Sequence, residues 1–345
     1  MNSFILLICM LPAVISYDPI WSHFLSWKQT FNREYDDAGE IIKRFNIWQQ
    51  SVEIVNHHNS KITSFKMRAG KFADLTADEF MAYVGEQPDF IPRDICKNIS
   101  SDYIEFTRLH ARRAIGILMP DEVDWRRKGV VTPVKDQGQC GSCWAFSAVA
   151  AIESAYAIAN KDLADLSEQQ LVDCSGPEGN QGCDGGLMDY AFKYVIKRGG
   201  LCESAEYPYT GTDDTCNTTC TRQVTISGCT SLYVGALSEY LVQYIVNFQP
   251  VSVAVDASSW QFYDTGVIDE TTCDKRVNHG VTIVGYSTQF NVNFNYWILK
   301  NSWGTDFGEK GYVRIKMFTN TCGIAEYPSI PYLNDDTLIL SRLIK

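Results

Sequence analysis

Gln137-Gly138-Gln139-Cys140-Gly141-Ser142-Cys143-Trp144-Ala145-Phe146-Ser147 leads into an alanine-rich apolar stretch, Ser142 to Ala159, whose texture predicts a buried helix. Three chemistries suit its two cysteines. A CxxC redox pair wants a thioredoxin-like βαβ pattern around it, and none is present. A zinc knuckle wants a second close Cys/His pair, and Cys174 and Cys183 are too widely spaced. A nucleophile fits: Cys143 at a helix N-terminus lies at the positive end of the helix dipole, which favours thiolate over thiol. Cys140 is then tied up elsewhere in a disulfide.

A thiolate nucleophile needs a base, and residues 119–345 contain one histidine, His279. It begins the run Gly280-Val281-Thr282-Ile283-Val284-Gly285-Tyr286, and Asn301 ends the run Tyr296-Trp297-Ile298-Leu299-Lys300. If these strands pair antiparallel, the start of one lies beside the end of the other. Asn301 then accepts a hydrogen bond from the imidazole and orients it toward Cys143. A lone His is more often structural, and an Asn before a Gly-bearing turn is usually a turn residue. Their pairing with a cysteine at a helix start shifts those odds.

Farther out, 345 residues, twelve cysteines, five histidines and a net charge of -11 bound the class. The length suits two domains or one with an appendage. The 45% hydrophobic content supports a real core and argues against disorder. The acidic balance, without a Lys/Arg cluster, argues against a nucleic-acid or anionic-membrane partner. Phe4 to Ile15 is too short an apolar run to span a membrane and reads as a signal peptide, residues 1–16, with cleavage at Ser16/Tyr17. Export to an oxidising compartment follows, a lysosome, vacuole or the exterior, where twelve cysteines mean disulfides.

Residues 17–85 read as helical: Trp21, Phe24, Trp27 and Phe31 form one face, and Ile41, Phe45, Trp48, Val52 and Val55 a second, longer one. Residues 86–118 have linker composition, including the sequon Asn98-Ile99-Ser100 and the pair Arg112-Arg113. Asp121 to Lys135 looks extended. Ser167–Cys174 and Leu187–Arg198 read as short helices. After about Val224 the pattern becomes strand-like, at Val251–Val255, Val281–Tyr286, Asn295–Lys300 and Gly311–Lys316. Helices first and strands later predict an α+β protein with a helical and a sheet lobe. Residues 1–118 carry 13 Lys+Arg against 14 Asp+Glu, whereas residues 119–345 carry 17 against 27, so the acidity belongs to the second part.

The segment from Gln137 to Ser147 resembles the nucleophile motif of papain-like cysteine peptidases. Asn278-His279-Gly280 and Lys300-Asn301-Ser302-Trp303-Gly304 resemble the family's histidine and asparagine motifs. Gly182-Cys183-Asp184-Gly185-Gly186-Leu187-Met188-Asp189 and Tyr207-Pro208-Tyr209 follow in order. The resemblance covers residues 119–333 and is closest to the cathepsin L-like branch. Upstream, Glu40, Arg44, Trp48, Ser51, Val55 and Asn59 fall at the spacing of that branch's propeptide motif, with Ser51 where Asn is usual and Val55 where Ile is usual. Phe72 and Asp74 keep half of the next motif, while Arg68 and Gly70 replace its Gly and Asn.

The resemblance implies a preproenzyme: an inhibitory propeptide over 17–118, a two-lobed papain-like domain over 119–333 and a C-terminal tail over 334–345. It implies a cysteine endopeptidase working through a Cys143–His279 ion pair and a thioester acyl-enzyme. Asn301 orients the histidine, and Gln137 with the Cys143 N–H holds the oxyanion. Substrate binding falls to Gly185 and Gly186 as bare backbone, to Leu187, Met188, Ala254, Asn278 and Gly280 as an apolar pocket, and to Trp303 over the Asn301–His279 contact. The pocket floor is Tyr327 or Glu326, the first favouring hydrophobic residues and the second admitting Arg. Cys140–Cys183, Cys174–Cys216 and Cys273–Cys322 are the implied disulfides. Cys202, Cys220 and Cys229 remain, which allows one more bridge and leaves one thiol unpaired. Asn217-Thr218-Thr219 is a second sequon beside Asn98. No metal or cofactor is called for. Expected partners are peptide or protein substrates, the chain's own propeptide and cystatin-like inhibitors, for a monomer. The competing class is a catalytically silent papain-fold binding or scaffold protein.

Overall fold

A computed structural model describes residues 19–84, 96–98, 119–217, 219–221, 223–232, 238–289 and 295–333. The N-terminal residues read as a signal peptide, most of the linker up to 118 and the tail from 334 lie outside these residues.

The N-terminal part is built on aromatic packing. Helices α1 (Pro19–Thr30) and α2 (Ala38–Asn59) cross through Trp21, Phe24, Trp27, Phe45 and Trp48, with Trp21 and Phe45 edge to face at 4.8 Å. Asp37 starts α2 by accepting from the Gly39 and Glu40 N–H groups. Strand β1 (Phe65–Met67) interrupts the helical stretch read from sequence. Asn59 holds it against α2, donating to the Met67 carbonyl at 2.7 Å and accepting from the Met67 N–H at 3.0 Å. Helix α3 (Ala77–Val84) follows, then the two-residue strand β2 (Lys97–Asn98).

In the second part β3 (Glu122–Asp124) leads into a 3-10 turn at Trp125–Lys128, so only the first residues of the stretch read as extended form a strand. Helices α4 (Cys143–Asn160), α5 (Glu168–Cys174) and α6 (Met188–Arg198) form the helical lobe, with the short pair β4 (Leu201–Cys202) and β5 (Gln223–Val224). Then come β6 (Gly228–Ser231), α7 (Ser238–Val246), β7 (Val251–Val255), β8 (Tyr263–Ile268), β9 (His279–Ser287), β10 (Tyr296–Lys300), β11 (Tyr312–Lys316) and β12 (Ser329–Tyr332). Helix α7 departs from the strand-like reading after Val224: Leu241, Val242, Ile245 and Val246 share a helical face, although Val and Ile favour strands by propensity.

The strands form one sheet in the order β1-β8-β11-β10-β9-β7-β12-β6-β2, with β3 also paired to β9. Strands β9 and β10 are antiparallel, Lys300 opposite Thr282. Both ends of the sheet come from the N-terminal part: β1 pairs antiparallel with β8, and β2 parallel with β6. The N-terminal part thus covers both open edges of the second domain's sheet.

Among the described residues there are five disulfides: Cys140–Cys183, Cys174–Cys216, Cys202–Cys220, Cys273–Cys322 and Cys96–Cys229. The last corrects the expectation of an unpaired thiol. Cys229 has a partner because Cys96, just before β2 in the N-terminal part, lies beside it. Among the described residues Cys143 is the cysteine outside these disulfides, and it is buried.

Candidate active site

Helix α4 runs through the middle of the helical lobe with most of its side chains buried, as alanine at so many positions permits. Hydrogen bonds pin it to the sheet. Ser147 Oγ donates to the Val281 carbonyl at 2.7 Å, and the Ser252 and Thr282 hydroxyls donate to the Ser147 carbonyl at 3.0 and 3.2 Å. This contact brings the first residue of α4, Cys143, against the first residues of β9. The Gly280 N–H donates to Cys143 Sγ at 3.2 Å. A Cβ on Gly280 would stand 3.1 Å from Cys143 and Trp144 backbone atoms, so a side chain there would push the helix away.

His279 is fully buried. One ring nitrogen, Nε2, lies 2.7 Å from Asn301 Oδ1. The same Asn301 oxygen accepts from the Ser302 N–H at 2.8 Å, which identifies it as the carbonyl oxygen and Nε2 as the donor. In the neutral ring Nδ1 is then the unprotonated nitrogen, and it has no hydrogen-bond partner. Burial pushes the imidazole from its ordinary 6.5 down to about 4, the Asn301 hydrogen bond opposing only in part. At pH well above 4 the ring is neutral in this structure.

Trp303 covers this contact, its ring 4.6 Å from that of His279. It is itself enclosed by Phe307 at 4.7 Å, and by Phe72 at 5.4 Å and Phe80 at 5.6 Å from the N-terminal part. Lys71 Nζ adds a hydrogen bond to the Trp303 carbonyl at 2.9 Å and an ion pair with Asp136 at 2.6 Å. Gln261 Nε2 donates to the Phe72 and Leu75 carbonyls.

Gln137 is buried, with its Nε2 donating to the Cys140 carbonyl at 3.0 Å and its Oε1 accepting from Ser302 Oγ at 2.6 Å. Nε2 carries two hydrogens, so one remains to point at a developing oxyanion. The serine beside Asn301 therefore also orients Gln137, a role its type does not signal. Tyr209 donates to the Gln137 carbonyl at 2.7 Å and contacts Ser142 Oγ, also at 2.7 Å. In the sequence this tyrosine stands out only as part of the Tyr207-Pro208-Tyr209 motif. Trp260, buried and edge-on to His279 at 6.2 Å, carried no sequence signal.

The Gly141 N–H donates to the Cys183 carbonyl at 2.9 Å, which sets the Gly185-Gly186 strip beside the nucleophile loop. Gly185 has φ +116°, and a Cβ on Gly186 would come within 2.7 Å of the Trp144 ring. Met188, Ala254, Val277 and Tyr327 pack in one apolar cluster, and Leu187 beside Met188 is buried. Val277 was not singled out from sequence. Asn278 is turned to the backbone, accepting from the Ala257 N–H and donating to Ser258 Oγ, each at 2.9 Å, so it braces the strand end. Glu326 accepts from Asn320 Nδ2 at 2.7 Å. Asn217 is exposed, while the Asn98 side chain and the rest of its sequon lie outside the described residues.

A helix-start thiol, an Asn-oriented histidine and a buried glutamine amide, covered by an N-terminal helical layer, fit a cysteine endopeptidase in zymogen form. The chain belongs to the papain family of cysteine proteases, whose model matches residues 119–332, and the cathepsin propeptide inhibitor domain (I29) matches residues 24–80. It is 39% identical over 328 residues to a cathepsin L-like peptidase of Aedes aegypti, covering 92% of this chain and 95% of the relative. It is 40% identical to cathepsin S of Mus musculus, covering 90% and 89%. It spans 62% of the length of cysteine proteinase RD21A of Arabidopsis thaliana, at 39% identity. The structure matches digestive procathepsin L 3 of the Tenebrio molitor larval midgut with TM-score 0.80 and 35% identity, over 92% of this chain and all of the other. A recombinant stem bromelain precursor matches with TM-score 0.80 and 34% identity.

Proposed function

We propose that Cys143 is the nucleophile, His279 the base and acid, Asn301 its orienting group and Gln137 the oxyanion donor of a peptide-bond hydrolysis. The observation that carries this is the meeting of Cys143 Sγ with the His279–Gly280 strand start while Asn301 holds the far side of the imidazole. Nδ1 takes the thiol proton, and the thiolate attacks the carbonyl carbon. The tetrahedral oxyanion is held by Gln137 and the Cys143 N–H, and collapse gives a thioester as His279 protonates the leaving amine. Water, deprotonated by the same ring, then releases the acid product.

Gly185 and Gly186 bind the substrate backbone as an added strand. Leu187, Met188, Ala254 and Gly280 line the pocket for the second residue before the cut, with Tyr327 as its floor. The engagement of Glu326 with Asn320 supports Tyr327 over Glu326 and hence a hydrophobic or aromatic preference. The enzyme is made with a signal peptide over 1–16 and enters the secretory pathway, bound for a lysosome-like compartment, vacuole or the exterior. It carries a glycan at Asn217 and acts as a monomer open to cystatin-like inhibitors. The chain is cut between propeptide and enzyme in the interval from 98 to 119, near Met119 with an earlier cut after Arg113.

The test is to process the zymogen at acid pH with a thiol reductant, assay hydrophobic-Arg and dibasic peptides, and label with a thiol-directed epoxide. Cys143→Ser should lose both activity and label. Persistent peptidase activity in that variant would sink the mechanism, and a correctly processed but inert wild type would favour a silent binding protein.

A further inference from the structure

The Cys96–Cys229 bond joins the propeptide to the peptidase domain. Its cysteines lie 133 residues apart in sequence, with Cα atoms 5.0 Å apart. Cys229 sits on β6, and Cys96 immediately precedes β2, which pairs with β6 at Thr230 and Ser231. Both cysteines are buried, at 2% and 4% exposure, in the apolar cluster of the helical lobe. Strand pairing, apolar packing and the covalent bond therefore all join the same two segments. Every cut between residues 98 and 119 lies C-terminal to Cys96.

We infer that cutting the chain in that interval does not free the propeptide, and that its release requires reduction of Cys96–Cys229 as a second, separate step. The inference rests on the proposed cleavage interval. A cleaved but tethered propeptide still meets the cleft as an intramolecular ligand, at an effective concentration of about millimolar that dilution does not change. The Phe72 and Phe80 cover over Trp303 is retained in such a species. Release follows when a dithiol attacks one sulfur of the bridge, forming a mixed disulfide and freeing the other sulfur as a thiolate. The dithiol's second sulfur then resolves the mixed disulfide. The dithiol ends as a disulfide, and Cys96 and Cys229 end as thiols, having gained two electrons and two protons. Burial delays this exchange until β2, only two residues long, lifts from β6.

The test uses full-length zymogen cut by added trypsin in the Cys143→Ser background, where self-processing does not interfere. N-terminal sequencing first establishes that a cut lies between 98 and 119; if none can be made there, the cleavage interval fails while the bridge is still read by peptide mapping. Non-reducing gels of the cut protein should keep propeptide and enzyme in one band, and dithiothreitol should split it in two. Non-reducing peptide mapping after alkylation should recover a linked Cys96–Cys229 peptide. In the active chain the Cys96→Ser/Cys229→Ser double variant, once cut and diluted, should show at least about tenfold more activity than equally cut wild type before a dithiol is added, and a similar level after. Two bands for cut wild type without reductant, or alkylated Cys96 in the untreated zymogen, would overturn the inference even if the double variant failed to fold.

Discussion

At the residue scale, Asn301 carries two jobs through one oxygen. By accepting from both His279 and the Ser302 N–H it selects the tautomer that leaves Nδ1 bare. Ser302 turns the other way and holds Gln137. Replacing Gln137 by Ala should lower kcat on the order of a hundredfold with KM little changed, because the donor acts on charge that develops only in the transition state. Ser302→Ala should give a smaller loss of the same kind, as Gln137 keeps its bond to the Cys140 carbonyl. Steady-state kinetics on a peptide amide checks both. Cys143, His279 and Asn301 were legible in sequence because the second domain has a single histidine and each of the three sits at an element's end. Ser302, Trp260 and Val277 were not. They act by where their side chains point, and serine, tryptophan and valine are common as ordinary core or turn residues.

At the scale of elements, the apolar periods marked α1 and α2 without their bounds, the apolar composition located α4, α5 and α6 within a residue, and the apolar runs located β7, β9, β10 and β11. Helix α7 was hidden because its core-facing Val and Ile read as strand. Strands β1 and β2 were hidden because two or three residues have no period; Asn59 and Cys229 place them. Within the propeptide, Arg44 ties α2 to α3 through a two-pronged pair with Glu79, which holds that carboxyl down to about 2. Phe72 joins this layer to Trp303. Phe72→Ala should remove about 3 kcal/mol of packing at the cleft and speed self-processing of the zymogen by roughly a hundredfold. A time course of gel-resolved processing at fixed pH measures it, and an unchanged rate would mean that the contact does not hold the cleft shut.

On the scale of the whole molecule, closing the cleft is linked to protons. Burial holds His279 near 4 while Phe72 and Phe80 of the propeptide layer pack on Trp303, and the prediction made here is that removing that layer lets water reach the ring and restores it toward 6.5. The open form thus binds a proton that the closed form excludes. Closure is fully favoured above 6.5 and loses ground as pH falls from there to about 4. Asp269 acts with the same sign: despite burial, hydrogen bonds from Thr271 and from Ser64 of the propeptide hold it below the usual range, so protonating it weakens the contact. Asp74 acts oppositely, since burial raises it and its share in the propeptide fold fades as pH rises. The Arg44–Glu79 pair survives to about pH 2, so the propeptide loosens from the cleft before that pair is lost. Processing should therefore accelerate between pH 6.5 and 4. A rate that rises toward pH 8 would contradict this. By itself the sequence determined the two lobes, the prosegment and the residues proposed as nucleophile and base, because those depend on periodicity and on rare residue types at the ends of elements. Only the tertiary structure decided that the propeptide closes both edges of the sheet, that Cys229 bonds Cys96 and that Glu326 turns to Asn320. Each of those depends on which distant segments become neighbours, and a one-dimensional pattern carries no record of that.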